Sequence, residues 1–179
     1  MPGAVFLRGD EVTLRRVSRE DVGFLVANRN DPEVRGSFPD PTPPTRHDME
    51  EEFAERYERD DTVALLICPP DGGGEPVGMV VLTRIDATNG TAELGYWIAP
   101  DARGTGYATA AARRCLQYAF EERRLERVSA NALATNDASS RVLEKLGFVA
   151  EGRERSAFIV DGDRVDRVNY GLLADEFDI

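Results

Sequence analysis

The segment PDARGTGYATAA (residues 100–111) places two glycines, Gly104 and Gly106, between a predicted strand and a predicted helix. Arg103 precedes the glycines and small residues follow them, so the backbone can approach a bound anion closely. The first N–H groups of a helix have no partner within the helix, and the helix dipole is positive at that end. The segment therefore predicts a phosphate-binding turn, with a tight turn that binds nothing as the alternative.

Two common phosphate loops do not fit this turn. A Walker loop needs a lysine to reach the terminal phosphates and a hydroxyl to hold magnesium, and the only lysine of the chain is Lys145. A dinucleotide-binding loop needs a third glycine, where this chain has Thr109, and an acidic residue at the end of a second strand. What remains is a glycine turn at the start of a helix, which suits a pyrophosphate.

The elements around the turn alternate only in part between strands and helices. Strands are predicted at residues 11–17, 62–68, 76–86, 91–99 and 127–133, with two more around a turn at 161–163. Helices are predicted after the caps Ser18 and Thr45, over 107–122, and from Asn136 to Gly147. Residues 31–45 contain five prolines and are expected to be largely irregular.

This order predicts a mixed α/β (α+β) fold, with one mostly antiparallel sheet of about seven strands flanked by about four helices. It is not the strict βαβ alternation of a doubly wound dinucleotide-binding fold. The chain has 179 residues, and we expect residues 5–176 to form a single domain.

Composition narrows the classes of partner. The net charge of −11 disfavours binding to nucleic acid and would suit a cationic amine, although a high-salt or GC-rich source explains it equally well. No apolar run is long enough to span a membrane, and the first residues lack a secretory signal, so a cytoplasmic protein is expected. With one histidine, His47, and two distant cysteines, no metal site is expected.

Two motifs together carry a resemblance to a known family. Residues 103–108, Arg-Gly-Thr-Gly-Tyr-Ala, resemble the R/Q-x-x-G-x-G/A signature with which GNAT N-acetyltransferases bind the pyrophosphate of acetyl-CoA. Residues 136–148, NDASSRVLEKLGF, are similar to the N-x-x-S…EKLGF segment of the ribosomal-protein N-terminal acetyltransferase (Rim-type) branch. The resemblance spans Leu14 to Leu173. It implies that acetyl-CoA is the co-substrate and that a primary amine attacks it directly in a ternary complex.

The resemblance also implies where the coenzyme lies. In this family a bulge splays apart the strands that correspond to 91–99 and 127–133, and the pantetheine arm lies between them. The main chain of Ile98 would contact the arm, and Asn131 would flank it from the other strand. The pyrophosphate would be bound by six consecutive residues, namely Arg103, Gly104, Thr105, Gly106, Tyr107 and Ala108.

Glu93 is the candidate base, because several family members carry a catalytic glutamate at this position. It shares a strand face with Trp97, and we expect an apolar surrounding that makes the carboxylate a stronger base. The alternatives are an ordinary carboxylate on the sheet and a water molecule that relays the proton.

Asn136 and Ser139 are the candidates at the second motif. Asn136 is a helix cap, and the resemblance adds hydrogen bonding to the pantetheine arm or to water near the thioester. Many family members have a tyrosine acid for the leaving thiolate four residues after Ser139, where this chain has Leu143. Ser139 could donate the proton instead, or the thiolate could leave without an acid, since thiols have a pKa of about 8.5.

Two functional hypotheses remain open from the sequence. One is an acetyl-CoA-dependent N-acetyltransferase that acts on a small amine or a protein N-terminus, and the other is a non-catalytic module that binds or senses acyl-CoA. The first two helices and the loop at 38–45 would border the acceptor, where Asp31, Glu33 and Asp40 could attract a cation. The branch is often dimeric, so the resemblance also offers a homodimer.

Overall fold

The computed structural model describes residues 3–36, 38, 42–70 and 74–178, and within them one sheet contains eight strands. The strands are β1 (Val5–Arg8), β2 (Thr13–Arg16), β3 (Val63–Cys68), β4 (Gly78–Asp86), β5 (Thr91–Ile98), β6 (Arg127–Leu133), β7 (Val149–Val160) and β8 (Asp163–Leu173). Their order across the sheet is β1-β2-β3-β4-β5-β6-β8-β7, and only β5 and β6 pair in parallel. The predicted mixed, mostly antiparallel fold is confirmed.

The structure adds one strand to the seven predicted. β1 is four residues long and pairs with β2 alone, so its sequence carries too few alternations to stand out.

Five α-helices lie in the described part of the chain. They are α1 (Val22–Asn30), α2 (Pro32–Arg35), α3 (Arg46–Arg56), α4 (Tyr107–Gln117) and α5 (Asp137–Lys145). The predicted cap at Thr45 is confirmed, since its hydroxyl accepts the Asp48 N–H at 3.2 Å while the Asp48 carboxylate accepts the Thr45 N–H at 2.8 Å. The helix predicted over 107–122 is α-helical to Gln117 and π-helical from Tyr118 to Glu122.

Residues 31–45, expected to be largely irregular, include one short helix near their start. Pro32 begins the short helix α2, where its missing N–H is not needed. The Asp31 carboxylate accepts the Glu33 N–H at 2.8 Å and so caps this helix. The rule that proline breaks helices therefore does not apply at the first helical position.

Helices cover both faces of the sheet. α4 and α5 cover one face, where Leu116 and Leu143 pack with Leu14, Leu65 and Leu82. α1 and α3 cover the other, where the buried side chains are Val22, Leu25, Met49, Phe53, Ala64, Leu66, Cys68 and Met79. Central β5 thus lies between two layers, and its alternate side chains face different cores.

The sheet opens between β5 and β6. The parallel pairing runs from Thr91↔Arg127 to Leu94↔Ala130, and no later pair of residues joins the two strands. Gly95–Ile98 stay paired with β4 on the other side. The two strands therefore diverge and leave a slot, as the family resemblance implied. None of the described helices is both long enough and apolar enough to span a membrane.

Candidate functional site

The β5 wall of the slot presents backbone groups. Along an antiparallel strand, the backbone N–H and C=O groups of successive residues point alternately to one neighbouring strand and to the other. Ala99, directly after β5, donates its N–H to the carbonyl of Val77, directly before β4, at 2.9 Å. The N–H and C=O groups of Tyr96 and Ile98 therefore point away from β4, and the Ile98 carbonyl accepts from Arg103 Nε at 3.4 Å. The main chain of Ile98 lies at the open end of the slot, beyond the last residue of β5 that pairs with β6.

The glycine turn closes that same end. Gly104 and Gly106 have φ values of +75° and +89°, which residues other than glycine rarely adopt. The space beside them is open, since no described atom would lie within 4 Å of a Cβ atom at either position. Thr105 donates its hydroxyl to the Ala102 carbonyl at 2.7 Å, which fixes the turn. Gly106 is the N-cap of α4 and offers no side-chain acceptor, so the first N–H groups of the helix have no side-chain cap.

Arg103 is directed towards the neighbouring helix α2. Its Nη1 lies 3.3 Å from Glu33 Oε2, and its Nη2 donates to the Glu33 carbonyl at 3.0 Å. Both side chains are exposed, so this ion pair adds little stability. Arg103 thus connects the glycine turn with α2, at the predicted acceptor border. Asp40, also predicted at that border, lies outside the described residues.

Glu93 lies where β5 and β6 part, in a polar surrounding. Its Oε2 accepts from Arg84 Nη1 at 2.8 Å, and its Oε1 accepts from Asn131 Nδ2 at 3.0 Å. The expected apolar surrounding is therefore wrong, because Trp97 on the same face stacks on Phe24, with ring centroids 5.5 Å apart. Both carboxylate oxygens of Glu93 therefore accept a hydrogen bond from a neighbouring side chain.

Sequence reasoning missed Arg84. A bulge interrupts the pairing of β4 and β5 between Thr83 and Asp86, and Arg84 has a φ of +52° within it. The bulge re-aims this arginine onto Glu93. Nothing in the local sequence marks the bulge, since the sequence predicts residues 76–86 as one uninterrupted strand.

The start of α5 forms the β6 side of the slot. Asn136 Oδ1 accepts the Ser139 N–H at 3.1 Å, so the predicted helix cap is confirmed. Leu143 is buried, with 1% of its surface exposed, and belongs to the core under α5. The hydroxyl of Ser139 makes no hydrogen bond within the described residues.

Tyr96 was also missed. It points to the side of β5 opposite Glu93 and Trp97, and its hydroxyl crosses to α5 and donates to the Ser139 carbonyl at 3.1 Å. Burial raises the pKa of this phenol to about 12. The signal that could have found it is the alternation of β5, which places Tyr96 on the face of α4 and α5.

Comparisons with known proteins agree with this geometry. A family profile describing an acetyltransferase (GNAT) domain matches residues 11–149. The "Putative ribosomal N-acetyltransferase YdaF" of Bacillus subtilis is 43% identical over 105 residues, which are 59% of this chain and 57% of that protein. The match thus spans little more than half of that relative.

Two further similarities cover almost the whole chain. The spermidine N(1)-acetyltransferase of Vibrio cholerae is 26% identical over 167 residues, or 93% of this chain and 95% of that protein. A crystal structure of spermidine N-acetyltransferase from Vibrio cholerae in complex with CoA and spermine superposes with a TM-score of 0.85 at 23% identity. The superposition covers 94% of this chain and 98% of that one. This last likeness concerns the fold.

The chain belongs to the GNAT acetyltransferase family. The predicted family, its N-acetyltransferase class and acetyl-CoA as the co-substrate are thereby confirmed. Among the described residues, no group of three or more His, Cys, Asp or Glu side chains is arranged to hold a metal ion.

Proposed function

We propose that this protein transfers the acetyl group of acetyl-CoA to a primary amine by direct attack within a ternary complex. The observation that carries the proposal is the slot between β5 and β6, which opens beside the glycine turn at the start of α4. A thioester arm and a pyrophosphate need such neighbouring sites. Residues 5–176 would form the catalytic unit, since the sheet runs from Val5 to Leu173.

The coenzyme contacts follow from the open backbone groups. The N–H groups of residues 104–108 would bind the pyrophosphate, and the Arg103 side chain would add positive charge, since the Arg103 N–H already donates to the Pro100 carbonyl at 3.2 Å. The pantetheine arm would pair with the main chain of Ile98, with Asn131 and Asn136 on the other side of the slot. A free N–H of β5 would also stabilise the carbonyl oxygen of the thioester as it gains charge.

Glu93 would accept the proton of the amine, directly or through water. The amine must be neutral to attack, and the carboxylate lies beside the slot with 27% of its side chain exposed. Arg84 and Asn131 fix its position. Ser139, at the start of α5, would lie near the departing sulfur.

The acceptor we favour is a small cationic amine. Relatives across nearly the full chain are named spermidine N(1)-acetyltransferase, and the net charge of −11 attracts cations. A protein N-terminus is the second candidate, because another relative is named as a ribosomal N-acetyltransferase. The protein would act in the cytoplasm, where acetyl-CoA is available. A homodimer would use the edge strand β7.

The proposal is tested by release of free thiol from acetyl-CoA with a panel of polyamines, aminoglycosides and N-terminal peptides. Thiol release with at least one amine is expected. Tight coenzyme binding without release across the panel would favour the acyl-CoA-sensing alternative.

A matched pair of glycine variants tests the pyrophosphate site. Gly106 and Gly162 both have φ near +90° and open space around them, but Gly162 lies in the β7–β8 turn. Gly106→Val should lower CoA affinity by at least about tenfold, because the side chain disturbs the anion site. Gly162→Val imposes the same backbone strain and should leave CoA affinity unchanged. Equal affinities of the two variants would contradict the assignment.

A further inference from the structure

Tyr96 bridges the slot at the level of α5. Tyr96 lies in the part of β5 that does not pair with β6, and its hydroxyl donates to the Ser139 carbonyl in the first turn of α5. The Tyr96 residue is only partly buried. Leu143, one turn further along α5, is apolar and belongs to the core.

Acetyl transfer needs stabilisation of the group that leaves. When the bond between the acyl carbon and the sulfur breaks, the electron pair stays on sulfur, and the proton of the attacking amine goes to the base or to water. A hydrogen bond to an anion is stronger than one between neutral groups. A donor placed at the sulfur therefore favours departure without having to transfer its proton.

We propose that the Tyr96 hydroxyl is the donor that stabilises the coenzyme A thiolate as it leaves. This inference rests on the proposed function above. The hydroxyl turns about its own C–O bond from the Ser139 carbonyl to the sulfur. The Ser139 carbonyl keeps its helical partner, the Leu143 N–H. The rotation of the Tyr96 hydroxyl therefore breaks one neutral hydrogen bond and forms a charge-assisted one.

Tyr96 keeps its own proton in this role. Burial raises the pKa of its phenol to about 12; the hydrogen bond to Ser139 opposes this shift and nearby Tyr170 of β8 adds to it, both by less than burial. A thiol has a pKa of about 8.5, so full transfer from Tyr96 to sulfur is uphill. The thiolate instead takes a proton from solvent after it is released.

The test compares the binding of CoA with that of desulfo-CoA, which has no thiol. A donor at the sulfur lowers the pKa of the bound thiol. Wild-type protein should therefore bind CoA progressively better than desulfo-CoA from about pH 7 to about pH 10, with a final preference of about tenfold or more. Tyr96→Phe should abolish this increase and change desulfo-CoA affinity by less than about twofold.

Two variants serve as controls. Tyr118→Phe removes another phenol on the α4 side of the sheet, and the pH-dependent preference should remain. Ser139→Ala removes the hydroxyl at α5, and the preference should remain there too. A loss in Ser139→Ala alone would make Ser139 the donor and overturn the inference.

The remaining outcomes separate this inference from the proposed function. If Tyr96→Phe weakens both coenzyme forms equally at every pH, Tyr96 only supports the slot, and the inference is wrong. Ultraviolet absorption of the bound thiolate in the wild type gives the same answer without any variant, and an unlowered thiol pKa overturns the inference. If the wild type binds neither coenzyme form, the proposed function fails first.

Discussion

At the scale of single residues, Glu93 and Glu151 offer the same chemistry in different places. Each is a carboxylate on a strand and forms an ion pair with an arginine, Arg84 for Glu93 and Arg127 for Glu151. Glu93 lies beside the slot, whereas Glu151 lies on the edge strand β7. Glu151 is therefore the control for removing a paired charge from the sheet.

We expect Glu93→Gln to lower kcat by about 10²-fold or more, because an amide cannot accept the proton of the amine. CoA affinity should be unchanged, since the side chain lies on the acceptor side. Glu151→Gln should leave kcat unchanged. Steady-state kinetics with any acceptor identified by the thiol-release panel measures both variants. An unaltered kcat in Glu93→Gln would mean that water removes the proton without Glu93.

At the scale of elements, helix caps divide into those beside the slot and those remote from it. Thr45 caps α3 and Asn136 caps α5 in the same manner, each accepting a backbone N–H three residues on. Only Asn136 borders the slot. The sequence predicted both caps, because capping depends on local residue types.

We expect Asn136→Ala and Thr45→Ala each to lower the free energy of unfolding by about 1 kcal/mol, as measured by urea denaturation. Only Asn136→Ala should also weaken CoA binding in calorimetry. Asn136→Asp keeps the cap acceptor and loses the amide donors, so stability should hold while affinity falls. If both Asn136 variants bind CoA like the wild type, the residue is a cap alone.

At the scale of the whole molecule, the sequence predicted what local patterns determine. The strands from 62 to 133 and the helices after Thr45 and Asn136 follow from alternation, apolar spacing and caps. The partial pairing of β5 with β6 came only through the family resemblance. It depends on contacts between strands more than thirty residues apart. The Arg84–Glu93 contact depends on a bulge in the β4–β5 pairing, and the Tyr96–Ser139 contact joins residues 43 apart in the chain, so neither pairing could be read from local sequence.

The response of the fold to alkaline pH is a property of the buried core. Burial raises the pKa of the fully buried Cys115 thiol from its ordinary 9.0 to about 12, and that of the Tyr96 phenol from 10.0 to about 12. Both groups stay neutral in the folded protein at a pH where they ionise in the unfolded chain. Unfolding therefore releases protons above about pH 9. The contribution of these two groups to the free energy of unfolding is fully present below that pH and is lost as the pH rises towards about 12.

We expect the free energy of unfolding to fall from about pH 9 upward, by up to about 1.4 kcal/mol per pH unit for each such group. Cys115→Ala removes one of these groups, so unfolding should release one proton fewer and the free energy of unfolding should fall less steeply with pH. The variant also leaves a small cavity that lowers stability at every pH, so the slopes are compared and not the absolute values. Urea denaturation at several pH values provides both slopes. Identical slopes would show that the Cys115 thiol ionises equally readily in the folded and unfolded protein, contrary to its burial between α4 and the sheet.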